Sequence, residues 1–246
     1  MYEILKKKYG QNFLIDKNIL TKISSLILKK NLNIIEIGPG DGRLTEYILK
    51  YNPSLLKIIE IDLDLIPILE SRFNKYKNIK ILNKDILSYE ILDKFDLIIS
   101  NLPYNISSQI LVKICLLENP PEKLVLMFQK EFAERLKIEK LNSLNSLVNC
   151  FYDIDKSFIV GKNCFRPIPK VDSTVLSFKR KKNILLKKSE IDKFINFKRN
   201  LFSHKRKTLS NLLKEYNFNK EKFDLSFRVE DIKLKQLLQI FREINL

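Results

Sequence analysis

Cysteine, histidine and long apolar runs are all scarce in this chain, and each scarcity removes a class of protein. The three cysteines in 246 residues, Cys115, Cys150 and Cys164, are odd in number and widely spaced. That pattern fits neither a disulfide framework nor the paired spacing of a zinc site. They read as ordinary core thiols of a protein in the reducing cytoplasm. No stretch reaches the ~18 consecutive apolar residues that a membrane span requires. The basic start, Met1 to Lys8, is followed by no apolar segment and no small-residue cleavage site, so no export signal is expected. The one histidine, His204, sits among lysines and arginines, where a surface or RNA contact is expected rather than proton transfer. Internal repeats and low-complexity linkers are lacking too.

Carboxylates are the minority charge. Against 45 basic residues stand 29 acidic ones, a formal net charge of +16, and such an excess repels itself unless a polyanion is the usual partner. A coding bias toward Lys, Ile and Asn accounts for part of it, so its distribution counts for more than its sum. Thirteen cations lie between Lys179 and Lys214, opposed by Glu190 and Asp192 alone, a balance of +11. Apolar residues of this stretch (Ile191, Phe194, Ile195, Leu201, Leu209, Leu212, Leu213) fall at helical spacings. The reading is a first domain over residues 1–180 and a small all-helical domain over 181–246 that docks on RNA. A solvated helix face is the alternative.

What is present in abundance is alternation. Ile19, Ile23 and Leu26 mark a helical face, Asn33 to Ile37 a strand, and Leu44, Tyr47 and Ile48 a helix. Strand then follows over Leu55 to Ile61, helix over Leu63 to Phe73, and strands over Ile79 to Leu82 and Phe95 to Ser100. Helix over Ile106 to Leu117, strand over Leu124 to Phe128 and helix over Gln129 to Leu136 complete the series. Continuous apolar strands alternating with helices predict an α/β, Rossmann-like fold with a parallel sheet covered on both faces.

The first strand runs into Glu36-Ile37-Gly38-Pro39-Gly40-Asp41-Gly42. Glycines there permit a tight turn and let a ligand approach the backbone. The Gly-x-Gly-x-Gly spacing differs from the Gly-x-Gly-x-x-Gly that docks a pyrophosphate. Glu60 ends the second strand, where a carboxylate accepts from both hydroxyls of a ribose. Asp85, after the third, is placed to accept from an adenine amino group. Taken singly these acids read as surface carboxylates; in register along three strands they point to a nucleoside, S-adenosyl-L-methionine. No metal site is expected.

Asn101-Leu102-Pro103-Tyr104 closes the fourth strand. An exocyclic adenine amine is a poor nucleophile because its lone pair is conjugated into the ring. The Asn101 side-chain oxygen and the Leu102 carbonyl, accepting from its two N–H bonds, would free and aim that lone pair. Pro103 disfavours a helical Leu102 and adds no competing N–H. Tyr104 offers a face on which a flipped base stacks. The bland reading is a proline turn.

Together these motifs resemble the ribosomal RNA adenine dimethyltransferase family nearly end to end. Gly10-Gln11-Asn12-Phe13-Leu14 is similar to the family's N-terminal cofactor motif, which implies that Gln11, Asn12 and Leu14 contact the cofactor. Ile59-Glu60-Ile61-Asp62, Asp85, Asn101 to Ser107, and Gln129-Lys130-Glu131 with Arg135-Leu136 match in order and spacing. Phe165-Arg166-Pro167-Ile168-Pro169-Lys170-Val171-Asp172-Ser173 resembles the family's late loop, which implies that Phe165 covers the base opposite Tyr104. Phe202 to Leu209 and Arg228 to Ile232 resemble the two C-terminal signatures, with Lys205, Arg206 and Lys207 as RNA contacts. The resemblance implies a monomeric cytoplasmic enzyme that places two methyl groups on N6 of each of two adjacent adenosines. Those adenosines lie in the 3′-terminal hairpin of small-subunit (16S) ribosomal RNA, and modification comes late in assembly of the 30S subunit. Two departures stand out: Lys140 to Ser146 replaces a Tyr-Gly turn, putting a substrate-side loop in doubt, and Lys205-Arg206 replaces paired arginines. The rival readings are a large-subunit methyltransferase of the macrolide-resistance type, a non-catalytic assembly factor and, more remotely, a nicotinamide oxidoreductase.

Overall fold

The computed structural model describes residues 11–137, 139–204 and 206–245. The main sheet has seven strands: β2 (Asn33–Ile37), β3 (Leu55–Glu60), β4 (Ile79–Asn83), β5 (Leu97–Asn101), β6 (Lys123–Gln129), β7 (Tyr152–Val160) and β9 (Ser173–Arg180). Its order is β4-β3-β2-β5-β6-β9-β7. The first five are parallel to their neighbours, as the continuous apolar runs predict. β9 joins β6 antiparallel, so the sheet is mixed rather than parallel throughout. β1 (Phe13–Leu14) and β8 (Phe165–Arg166) form a separate antiparallel ribbon, with Leu14 opposite Phe165.

The strand order reverses between β2 and β5, and the crevice beyond the carboxyl ends of strands at such a point is where this architecture takes ligands. α1 (Lys17–Ser24) starts where Asp16 Oδ1 accepts from the Asn18 and Ile19 N–H groups, at 2.9 and 3.0 Å. α2 (Arg43–Leu49) is capped by Gly42 at φ +82°, and a Cβ there would lie 2.6 Å from the buried Phe73 ring. The helix expected from Leu63 is split: a 3₁₀ turn spans Leu63–Leu65 and α3 runs Ile66–Phe73, with Pro67 in its first turn, where no N–H is needed. α4 (Ser107–Cys115) and the short α5 (Lys130–Glu134) follow β5 and β6.

Residues 140–142 are irregular, but 143–146 form the first turn of a helix. Asn142 caps α6 (Ser143–Phe151), its Oδ1 accepting from the Leu144 and Asn145 N–H groups, both at 2.9 Å. Asn145 Oδ1 accepts in return from the Asn142 N–H at 2.8 Å. This is a capping box with asparagine in place of the usual Glu or Gln, which is why the segment did not read as a helix start.

The chain divides into two compact units, Met1–Ala133 with Asp153–Arg180, and Glu134–Tyr152 with Lys181–Leu246. The sequence reading drew one boundary, after residue 180, and did not separate 134–152. The second unit contains α6, α7 (Ile191–Ser203), α8 (Leu209–Leu212) and α9 (Leu234–Asn245). Phe194 and Phe197 pack on Phe241 with ring centroids 5.2 and 5.5 Å apart. The buried Lys198 ammonium donates to the Ser143 carbonyl at 2.7 Å, and the Lys181 and Leu185 N–H groups donate to the Phe151 and Cys150 carbonyls. Among the described residues no helix is long and apolar enough to cross a membrane.

Candidate cofactor and acceptor site

A cleft with a cavity of about 90 Å³, partly open to solvent, lies at the carboxyl ends of β2, β3 and β5. Gln11, Asn12, Leu14, Glu36, Gly38, Gly40, Glu60, Asp85, Asn101, Leu102, Pro103 and Tyr104 all line it. The residues named from sequence for two different tasks therefore share one wall.

The turn after β2 brings main chain to the floor of the cleft. Gly40 has φ +61°, and a Cβ on it would sit 2.7 Å from the Phe13 ring, so glycine lets β1 close over the turn. Glu60 is buried, yet its carboxylate accepts from the Gly40 N–H at 3.2 Å and the Asp62 N–H at 2.9 Å. Burial raises its pKa above the usual carboxylate value, and those two N–H bonds oppose the rise. Glu36 is buried more deeply still, and its Oε2 accepts from the Thr45 hydroxyl at 2.6 Å. Burial lifts its pKa to about 8; the Thr45 bond resists this, and the nearby Glu60 and Asp41 add to it. Asp85 Oδ1 accepts from the Leu87 N–H at 2.8 Å, which fixes the carboxylate at the mouth of the turn after β4.

At the end of β5, Ser100 donates its hydroxyl to the Ile37 carbonyl, tying this strand to β2 where the glycine turn begins. Asn101 Nδ2 donates to the Asn12 carbonyl at 2.9 Å. Leu102 is buried, and the Tyr104 hydroxyl lies 2.6 Å from that of Ser173. Burial raises the Tyr104 pKa above its ordinary value, with the Ser173 bond opposing. Phe165 is not on the wall of the cleft: it is wholly buried in the core, in β8 opposite Leu14. The aromatic side chains that line the cleft are Phe13 and Tyr104.

Gly10 and Lys205 lie outside the described residues. Arg206 and Lys207 are exposed in the second unit. His204 is exposed as well, its Nδ1 2.8 Å from the Ser203 hydroxyl. Sequence reasoning gave no role to Asp62, which is fully buried and accepts from Gln11 Nε2 at 2.9 Å. Nor did it give one to Thr45, Ser100 or Ser173. Their polar side chains looked like ordinary helix and strand residues; only the spatial neighbours distinguish them.

Comparison with known proteins bears on the whole chain. A family model described as ribosomal RNA adenine dimethylase matches residues 3–246. The ribosomal RNA small subunit methyltransferase A of Mycoplasmopsis pulmonis (strain UAB CTIP) is 40% identical over 255 residues, covering 98% of this chain and 99% of the relative. A dimethyladenosine transferase structure from Plasmodium falciparum superposes with a TM-score of 0.83 at 28% identity, covering 95% of this chain and 98% of the other. The 23S rRNA methyltransferase ErmE, with a TM-score of 0.76 at 23% identity, covers 95% of this chain and 100% of that one, and shares the fold. The chain belongs to the ribosomal RNA adenine dimethylase family, and with it to the Rossmann-like S-adenosylmethionine-dependent methyltransferases.

Proposed function

We propose that this enzyme dimethylates N6 of two adjacent adenosines in the 3′-terminal hairpin of small-subunit ribosomal RNA, acting in the cytoplasm as a monomer late in 30S assembly. The observation that carries the reading is the orientation of Asn101 at the edge of an acid-lined cleft. Its amide nitrogen is engaged by the Asn12 carbonyl, which turns Oδ1 the other way, toward where an amine donor is needed. The names of relatives similar over their full length support the choice of small-subunit RNA.

The donor set suits S-adenosylmethionine. Glu36, Asp41, Glu60 and Asp85 set four acids against Arg43 and Lys84 on the wall of the cleft, an acidic excess that suits a cationic ligand which also carries a ribose and an adenine. In this reading Glu60 accepts from the ribose hydroxyls and Asp85 from the adenine amine. Gly38 and Gly40 admit the ligand to the main chain, and Gln11, Asn12, Leu14 and Glu36 enclose the rest. The bound cofactor supplies a methyl group on a sulfonium, a good leaving group, so no strong base is required.

What the protein contributes is orientation. The Asn101 oxygen and the Leu102 carbonyl accept from the target amine and release its lone pair from the ring. Pro103 keeps that carbonyl turned outward, and Tyr104 stacks on the base. The second unit, with Lys205, Arg206 and Lys207, holds the folded RNA through its phosphates. The test is to map N6,N6-dimethyladenosine in ribosomal RNA after deletion of the gene. Loss at two adjacent small-subunit positions, restored by the wild-type gene but not by Asn101→Ala, is expected. Loss from large-subunit RNA instead, or no loss, would overturn the assignment.

A further inference from the structure

Tyr104 stands in the turn between β5 and α4, not on a regular element. Its main chain is held by long bonds, from the Ile106 N–H to the Pro103 carbonyl at 3.3 Å and from the Ser107 hydroxyl to the Tyr104 carbonyl at 3.2 Å. The far end of the ring is held more tightly. Its hydroxyl meets that of Ser173 at 2.6 Å, and Ser173 is completely buried as the first residue of β9, paired with Gln129 of β6. The neighbouring Asp172 braces this strand end. Its carbonyl accepts from the Lys130 N–H at 3.0 Å and its carboxylate from the Lys162 N–H at 2.9 Å.

A tyrosine ring swings about two torsions. Fixing its Cα in a turn and its oxygen on a sheet sets the first torsion, and with it the line along which the ring points; the second torsion turns the ring about that line. Stacking needs only the ring, and phenylalanine would supply that, so the hydroxyl has another task. Burial keeps the phenol protonated well past neutrality, which makes it a poor proton acceptor for the reaction. The target amine must meet the methyl group in line, and small tilts of the base cost rate.

We propose that Ser173 is a positioning residue: through the Tyr104 hydroxyl it fixes the line along which the ring lies, and hence where the stacked adenine sits relative to Asn101. This rests on the reading of Tyr104 as the stacking face. The reference point for the base is thus the β6–β9 pair and not the turn that carries the tyrosine.

The test is a double-mutant cycle of Tyr104→Phe and Ser173→Ala, with Tyr104→Ala beside it. Methylation is measured on immature small subunits and cofactor affinity by calorimetry. Each single variant should lower kcat/KM for RNA about three- to tenfold, the size of one neutral hydrogen bond. The double variant should be no worse than either single one, with cofactor affinity unchanged throughout. Multiplying losses would show that Ser173 acts elsewhere, and wild-type kinetics in Tyr104→Phe would end the proposal even if Ser173→Ala failed to fold. Tyr104→Ala separates the underlying reading. It should cost roughly a further five- to 150-fold, the fold-change that matches a base stack of about 1–3 kcal/mol, and full activity there would remove the stacking role itself.

Discussion

The side-chain amide of Asn101 donates to the main-chain carbonyl of Asn12, 2.9 Å away and 89 positions earlier in the chain. A carbonyl can only accept, so the partner decides which end of the amide is nitrogen. The segment holding Asn12 is anchored on both sides: Gln11 donates to Asp62, and the Phe13 ring lies over Gly40. Residues proposed to enclose the cofactor thus also orient the group proposed to receive the target amine.

Asn101→Asp tests that link more sharply than removal does. The aspartate keeps the size and an oxygen but sets an acceptor against the Asn12 carbonyl. Turnover should fall by roughly 10²–10³, the loss typical of one preorganised polar group, in both Asn101→Asp and Asn101→Ala. Cofactor affinity should fall in the aspartate variant as the Asn12 segment is pushed away. Wild-type turnover in Asn101→Asp, measured in single-turnover assays, would show that the bond to Asn12 does not matter.

Glu60 has two duties that two substitutions separate. Glu60→Gln keeps one acceptor oxygen, and the cofactor should bind at least tenfold more weakly, since charge-assisted bonds contribute about 1.5–3 kcal/mol each. Glu60→Ala also withdraws the acceptor of the Gly40 and Asp62 N–H groups. Its apo-protein should therefore melt at lower temperature, whereas the glutamine variant stays closer to wild type. Calorimetry and thermal denaturation on the same samples check both arms.

Glu36 predicts a pH dependence of stability. Its pKa rises from 4.5 to about 8 on folding, so between those values the unfolded chain has released a proton that the folded chain retains. Apo-protein stability should fall as pH rises through that window. Thr45→Val removes the bond that restrains the shift and should extend the window upward. A bound cation favours the ionised acid, so cofactor binding near neutrality should release a proton, read as a dependence of binding enthalpy on the buffer's ionisation enthalpy. An enthalpy independent of buffer would exclude the link.

Two glycines of one turn should fail differently. Alanine at either position is strained by positive φ, at about 1–2 kcal/mol. At Gly42 the new methyl meets Phe73, a buried core ring, and at Gly40 it meets Phe13, which lines the cleft. Gly42→Ala should mainly lower the melting temperature. Gly40→Ala should mainly weaken cofactor binding, and Phe13→Ala should restore part of that loss.

Changing Lys205, Arg206 and Lys207 together to Gln tests the docking surface. The slope of log affinity for immature small subunits against log salt should become shallower by up to about 2–3 units if all three cations touch phosphate. Cofactor affinity should stay unchanged. An unaltered slope and methylation rate would show that this cluster is a solvated surface.

Much of the first unit was legible because its strands are buried on both faces and write themselves as apolar runs, such as Ile34-Ile35 and Leu97-Ile98-Ile99. The acids and Asn101 were found because they end those strands. β7 was harder, since Asp153, Lys156 and Ser157 leave its middle exposed and break the pattern. β1 and β8 have two residues each, too few for any periodicity. Phe165 is expected from the resemblance to cover the base opposite Tyr104; it lies buried in β8 opposite Leu14, a partner 151 positions away that no local pattern reveals. Ser173 stayed invisible for the same reason: its meaning lies in one hydroxyl, that of Tyr104, 69 positions earlier.

The grouping of 134–152 with the helical unit has a consequence for the gene as well as the fold. The polypeptide leaves the sheet after Ala133, builds α6, and returns at Asp153 before departing again at Lys181. Lys198, Lys181 and Leu185 all bond to main-chain carbonyls of that inserted helix. The helical unit is therefore no detachable cassette. A stop codon after residue 180 would strip α6 of these donors and leave its apolar face uncovered, and no single crossover could exchange the unit between relatives. Its inheritance is bound to that of the methyltransferase core into which its first helix is spliced.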